Sequence, residues 1–377
     1  MRGLYKQILY RLVGLYLKIR KEKIRFKSSG ARILFISTPG LGNAILSLPL
    51  VKALETTFKD SKIDVLVGDG ASREIFAATG ICKSVFTWPR SIDKQIRMLW
   101  HLRKYKYDIS LLAFPTLSIP VTLIPFWINS QFNFSHDYSL IYPEFTRLEK
   151  LFDEICFIDP LLHDIEQNLQ LINHITDSNA SGVYPEIHLS PANIEFANSF
   201  FSKARLYQKT CIFHPGSKKG TDYKRWPMEN YIELGTRLKE HKYSSIVILG
   251  PEENELKDDF ERNGFILLQS KNILDILAVI ERCDYFISND SGIMHLASLV
   301  PIRIFTLWGG TSEQRNSARS PNVINIKNPG FACQPCVIFK FSKPCKYKTF
   351  PCLTDLDVDK VLQEILDFDP IKNRGER

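Results

Sequence analysis

Residues 283–308 read CDYFISNDSGIMHLASLVPIRIFTLW, and this stretch decides the fold. Tyr285–Ser288 is a short apolar run of strand character. Gly292–Leu299 carries apolar residues at helical spacing, and Arg303–Leu307 is a second β-branched run. Strands joined through a helix pair in parallel, because a crossover carries the chain back to where it started. The same alternation continues upstream through strand Thr210–Phe213, helix Met228–His241, strand Ser245–Leu249, helix Glu253–Arg262, strand Phe265–Leu268 and helix Ile273–Arg282. An earlier series runs through strand Arg32–Ser37, helix Asn43–Phe58, strand Ile63–Val67, a short helix near Ser72–Thr79, strand Ser84–Thr87, helix Ile92–Lys104 and strand Tyr107–Phe114. From Pro115 to Pro143 no period is visible. The two series predict an α/β chain of two Rossmann-like domains facing a cleft, each a parallel sheet covered on both faces by helices. The expected divisions are an arm over 1–28, a first domain over 29–180, a second over 181–350, and a C-terminal helix and tail over 351–377.

A length of 377 residues suits two cores. The net charge of +8 is unevenly placed: residues 1–27 hold nine Lys or Arg and one Glu, and the remaining 350 residues hold 40 basic and 40 acidic. In that arm Leu4, Tyr5, Ile8, Leu12, Leu15, Tyr16 and Ile19 share one helical face. This predicts a basic amphipathic helix, lying either in a membrane interface or on the protein's own surface. Arg11 interrupts the apolar stretch and no small-residue cleavage site follows, so a signal peptide is not indicated. A nucleic-acid arm would need no apolar face. No apolar run reaches the roughly 18 to 20 residues of a membrane span. The expected location is cytoplasmic, peripheral on the inner membrane. Of eight cysteines, Cys82, Cys156, Cys211 and Cys283 read as core residues. Cys333-x2-Cys336 with Cys345 and Cys352 reads as either structural zinc or reduced structural thiols.

Ligands of parallel sheets bind beyond the carboxyl ends of strands, and four loops there carry chemistry. Ser37–Pro49, STPGLGNAILSLP, is a glycine turn between strand and helix. Ile45 occupies the third glycine position of a dinucleotide fingerprint, which argues against an NAD site. The alternative reading of Gly40 and Gly42 is a turn that needs glycine backbone angles. His214–Pro227, HPGSKKGTDYKRWP, combines Ser217 with Lys218, Lys219, Lys224 and Arg225, a set suited to a diphosphate. In Asn289–Leu296 the side chains of Asp290 and Ser291 can cap a helix, and His295 is either a buried, satisfied histidine or a phosphate contact. After Leu249-Gly250, Glu252 or Glu253 could hold a ribose hydroxyl pair. Asp355, Asp357 and Asp359 read as helix caps rather than metal ligands.

These loops, with the late CQPC cluster, resemble glycosyltransferase family 9, the heptosyltransferases of bacterial lipopolysaccharide core assembly and their relatives. The likeness runs from about residue 31 to the C-terminal helix and is weakest between about 115 and 200. It implies a GT-B fold, an inverting and metal-independent transfer without cofactor, and a nucleotide-diphosphate-sugar donor, commonly ADP-heptose, bound by the second domain. The acceptor would be a glycan or lipid-linked glycan, and no nucleic acid is expected. Carried over, Ser217, Lys218 and Lys224 contact the diphosphate, and Glu252 holds ribose or adenine-proximal groups. Asp290, Ser291, Gly292, Ile293, Met294 and His295 line the phosphates and sugar. Gly40, Leu41 and Gly42 form the acceptor-side turn. The next position is commonly an aspartate base in this family, and here it is Asn43. An amide orients a hydroxyl and cannot take its proton, so another carboxylate is expected as base, with Asp69 and Asp137 as candidates. A nucleotide-sugar-binding protein without transfer, and an NAD-dependent oxidoreductase, are the competing classes.

Overall fold

The computed structural model describes residues 29–368, without 140, 147, 177–179, 205, 208, 218, 219 and 340–344, and without the side chains of 144, 149, 251, 252 and 254. The arm 1–28, and with it the expected amphipathic helix, lies outside the described residues.

Two six-stranded sheets form, and every strand pair in both is parallel. The first has the order β3-β2-β1-β4-β5-β6, from β1 (Arg32–Ser37), β2 (Lys62–Val67), β3 (Ser84–Thr87), β4 (Ile109–Leu112), β5 (Phe132–Asp137) and β6 (Glu154–Phe157). The second has the order β12-β11-β10-β7-β8-β9, from β7 (Lys209–His214), β8 (Tyr243–Ile248), β9 (Ile266–Leu268), β10 (Tyr285–Asn289), β11 (Arg303–Trp308) and β12 (Val323–Lys327). Continuous apolar runs make these central strands because both faces are covered. Ile33 and Phe35 of β1 enter one core cluster, whereas Leu34 and Ile36 enter another on the opposite face. In β10, Phe286 joins that first cluster, and Tyr285 and Ile287 pack on the other side of their sheet. One apolar cluster therefore extends from β1 through Ile45 and Met294 to Phe286, joining the two sheets.

The expected helix Asn43–Phe58 is two helices, Leu41–Leu46 and Leu48–Thr57. Pro49 has no N–H to give to the preceding turn, and Ser47 ends the first helix by donating its hydroxyl to the Ala44 carbonyl at 2.7 Å. The aperiodic region contains β5, and after it come β6 and helix Asp164–Thr176, which packs on Leu48–Thr57. Helix Pro191–Lys203 packs on Ile273–Ile280 under the second sheet. The C-terminal helix Val358–Asp367 packs on Met228–Glu240. The Asp357 carboxylate caps it, accepting from the Asp359 N–H at 3.0 Å, as the capping interpretation expects.

The ends of β1 and β2 meet closely. A Cβ added to Gly68, the residue after β2, would lie 2.0 Å from the Thr38 carbonyl oxygen. Gly68→Ala must push the two loops apart. The expected cost is about 1–3 kcal/mol, read as a lower urea midpoint at unchanged m-value.

Candidate active site

The loop after β7 is built around Ser217 and Arg225. The Arg225 guanidinium donates from Nε to Ser217 Oγ at 2.9 Å and to the Ser217 carbonyl at 2.5 Å, and lies 3.8 Å from the Glu253 carboxylate. Arg225 is thus a clamp within the loop. Lys224 points the other way, its Nζ 2.7 Å from Asp290 Oδ2. Lys218 and Lys219 lie outside the described residues. His214 is buried, and its imidazole donates through Nδ1 to the Ile248 carbonyl at 3.1 Å. Burial pushes its pKa down to about 4, so the ring is neutral.

Asn289 closes β10, and both ends of its buried amide are used. Oδ1 accepts from Trp226 N at 3.1 Å and from the Tyr231 hydroxyl at 2.9 Å, while Nδ2 donates to the Pro215 carbonyl at 2.8 Å. Ser291 caps helix Gly292–Ala297, accepting from Met294 N at 3.3 Å. That helix has six residues, too few for a large macrodipole, so the anion site rests on side chains and turn N–H groups. Met294, expected at the donor, is instead fully buried in the core. Its side chain falls on the sheet side of the helix, whereas Asp290, Ser291, Gly292, Ile293 and His295 line the cleft. His295 is buried, and its pKa is pushed down to about 4, first by burial and against the pull of Asp290. Its Nδ1 has no hydrogen-bond partner among the described residues, nor does Asp290 Oδ2, whose contact with Lys224 is not aligned as a hydrogen bond.

Facing them across a cavity of about 1000 Å³ are Gly40, Leu41, Gly42, Asn43 and Asp69. Neither Gly40 nor Gly42 uses a left-handed backbone angle, so the turn does not need glycine for conformation. Gly42 is small for a different reason. An added Cβ would sit 3.0 Å from the His295 ring and 3.3 Å from Gly292 Cα, where the two halves come together. Asp69 caps helix Gly70–Ala78 through Ser72 N at 2.7 Å and also borders the cavity. Asp137 does not border it. Its Oδ1 accepts from Ser139 N at 2.8 Å, beside a separate void of about 10 Å³.

The sequence named Glu253 only as an alternative to Glu252, and it did not name Asp164, Arg315 or Asn316. Glu253 is a buried cleft residue accepting from Gly250 N at 3.0 Å, whereas the Glu252 side chain lies outside the described residues. Glu253 was visible as a carboxylate after a strand, but sequence could not choose between the neighbours. Asp164 and Arg315 form a buried pair at 2.6 Å, and Asn316 adds a hydrogen bond at 2.8 Å. They border a second cavity of about 240 Å³ that shares Asn43, Tyr223, Lys224 and Asn316 with the first. Burial raises the Asp164 pKa to about 6, opposed by Arg315. Phe114 and Tyr138 stack in its wall, and Phe339 lies 4.0 Å beneath the Arg315 guanidinium. This pair joins residues 151 apart, and no local pattern announces it.

Cys333, Cys336, Cys345 and Cys352 are free thiols. Cys352 is pushed up to about 11, first by burial and then by the other three. Among the described residues no three His, Cys, Asp or Glu side chains are grouped to hold a metal ion, so the zinc alternative has no preformed ligand set there. No described helix is long and apolar enough to cross a membrane.

Two six-stranded parallel sheets meeting at a cleft lined with cations, hydroxyls and carboxylates make an α/β fold of GT-B type. The description "Glycosyltransferase family 9 (heptosyltransferase)" matches residues 96–349, and the chain belongs to that family. It is 24% identical over 342 residues to lipooligosaccharide heptosyltransferase 2 of Campylobacter jejuni, covering 88% of this chain and 98% of the relative. The fold matches the ADP-heptose lipopolysaccharide heptosyltransferase II of Escherichia coli with a TM-score of 0.71 at 18% identity, covering 89% of this chain and 98% of that one. It also matches an iron-containing dodecameric glycosyltransferase of enterotoxigenic E. coli, with a TM-score of 0.56 at 11% identity, covering 92% and 78%.

Buried histidines tie stability to pH. His136, His214 and His295 are each held near 4 by burial, against an ordinary 6.5. Burial lowers His163 in the same way, so as pH falls from 6.5 towards 4 the unfolded chain gains protons at four imidazoles that the folded chain resists. Asp164, raised to about 6, works in the opposite sense by gaining one proton in the fold. The net is proton uptake on unfolding, so stability is lost as pH falls through this window. Thermal midpoints followed by circular dichroism should drop steadily from pH 6.5 to 4; a flat profile would contradict the neutral, buried rings.

Proposed function

We propose that this enzyme transfers heptose from ADP-heptose to a lipopolysaccharide or lipooligosaccharide core acceptor, with inversion at the anomeric carbon. The observation that carries the reading is the cluster of Lys224, Asp290 and His295 at the cleft wall, where the Lys224–Asp290 ion pair borders the cavity and buried His295 Nδ1 has no hydrogen-bond partner among the described residues. Buried polar atoms are ordinarily paired, and a bound donor would pair this one. The cavity is at the upper end of the size range for small-ligand sites, which suits a nucleotide-diphosphate-sugar.

In this reading the second sheet holds the donor and the first holds the acceptor. The Lys224 ammonium meets the diphosphate and stabilises the charge that grows on it as the glycosidic C–O bond breaks. Neutral His295 offers a hydrogen bond without the cost of a buried cation. Glu253 takes the ribose-side role that the resemblance gave to Glu252. Ser217 acts through Arg225 to shape the loop. Asn43 orients the acceptor hydroxyl, whose oxygen attacks the anomeric carbon from the face opposite the diphosphate. Asp69 takes its proton. Asp164 is less suited, because both of its oxygens are engaged by Arg315 and Asn316. The basic arm brings the enzyme to the cytoplasmic membrane face, where a lipid-linked acceptor is presented.

Calorimetric titration with ADP tests the donor side. Lys224→Ala should weaken ADP binding by about 10- to 100-fold, the scale of a lost charge-assisted hydrogen bond. Selective binding of another nucleotide diphosphate would keep the site and change the donor. The base is tested separately with core acceptor and ADP-heptose. Asp69→Asn preserves the helix cap and should lower kcat by about 10²- to 10⁴-fold with ADP affinity unchanged; undiminished turnover would remove Asp69 from that role.

A further inference from the structure

Helix Ile92–Arg103 is apolar on two faces. Inward, Leu102 is fully buried, with Met98 and Leu99 packed against the cluster containing Leu34 and Ile36. Outward, Ile92, Ile96 and Trp100 follow one another at intervals of four residues, so they share a face, and they are 74%, 50% and 67% exposed. Trp127, at the end of helix Ile124–Trp127, stands beside them at 55% exposure. Its carbonyl accepts from Arg103 Nη1 at 2.9 Å, which fixes the two helices together. Ile96, Leu99, Trp100, Arg103 and Trp127 line an apolar groove of about 460 Å³. Such a patch on a single chain signals a partner.

Charge selects the partner. Residues 90–106 contain Arg90, Lys94, Arg97, Arg103, Lys104 and Lys106 against one acid, Asp93, in a chain whose acids and bases balance outside its N-terminal arm. The arm itself, at nine bases to one acid over residues 1–27, would be repelled from this helix. Two such patches brought face to face would repel each other as well. Exposed indoles beside aliphatic side chains, rimmed by cations, fit an anionic lipid surface: rings at headgroup depth and cations on phosphates.

We propose that the outer face of helix Ile92–Arg103, with Trp127, is a membrane-docking surface that seats the first sheet on anionic phospholipid. The proposal stands on exposure and charge, and does not depend on the donor assignment or on the N-terminal arm.

The test uses the full chain and vesicles of phosphatidylethanolamine and phosphatidylglycerol carrying brominated acyl chains. Trp226 and Trp308 are fully buried and act as an internal reference. Wild-type fluorescence should be quenched by the brominated vesicles, and the double variant Trp100→Phe/Trp127→Phe should lose most of that quenching. Ile96→Asp/Trp100→Asp alters only exposed positions. It should keep the wild-type melting curve and lower vesicle partition by about a hundredfold or more, the scale of one indole and one aliphatic side chain withdrawn from the interface. Vesicle binding without quenching of Trp100 and Trp127 would mean that another segment carries the attachment, and would overturn the proposal. So would a dimer, seen by sedimentation without lipid, that dissociates in the Asp variant.

Discussion

The carboxamide of Asn289 is the constraint on which the donor side of the cleft depends. It is buried at the end of a central strand, and a buried amide left unpaired costs about 1–3 kcal/mol per group. Its partners come from two other segments: the turn after β7 through Pro215, and the entry of helix Met228–Glu240 through Trp226 and Tyr231. Satisfying one side chain therefore sets the relative position of β10, the basic loop and the helix that follows it. Lys224 lies two residues before Trp226 and Asp290 one residue after Asn289. Their approach is a consequence of how the amide is held. Trp226 is pinned at its other end, its indole N–H donating to the Leu356 carbonyl at 2.9 Å, which ties the C-terminal helix into the same arrangement.

The acceptor side is organised differently. There the contacts that matter run between the sheets. Glu74 accepts from Ile273 N at 2.8 Å on one flank, and Asp164 holds Arg315 and Asn316 on the other. The buried ion pair is costly to desolvate and costly to break. With Phe339 stacked on the guanidinium and Asn316 donating to the second carboxylate oxygen, the carboxylate has little freedom. This rigidity shapes the smaller cavity and also makes Asp164 a poor proton acceptor, despite a pKa near neutrality.

Strands buried on both faces announce themselves, and so β1, β2, β7, β8 and β10 were legible from short, predominantly apolar runs, each with at least three adjacent apolar residues. β5 was not, because FNFSHD buries Asn133, Ser135 and His136 among its aromatic residues, and polar residues inside a strand erase the pattern. The break at Ser47 was written in Pro49 but masked by apolar spacing that continues across it. In the site, the loops after strands were legible because function there needs hydroxyls, cations and carboxylates in short windows. Which member of a window faces the ligand was not: Met294 turns into the core, and Arg225 spends its charge on Ser217. Pairs such as Asp164 and Arg315 are made by topology, and only the folded chain brings them together.

Gly42 and Gly292 touch where the acceptor turn meets the donor helix. A Cβ at Gly292 would lie 3.2 Å from Gly42 N, and one at Gly42 lies within 3.3 Å of Gly292 Cα. In most packed interfaces an enlargement on one side can be absorbed by a reduction on the other, so sequences drift while the fit survives. Here each partner is already the smallest residue there is. A substitution at either position has no rescuer at the other, and this contact is closed to the paired changes by which most of the core can evolve.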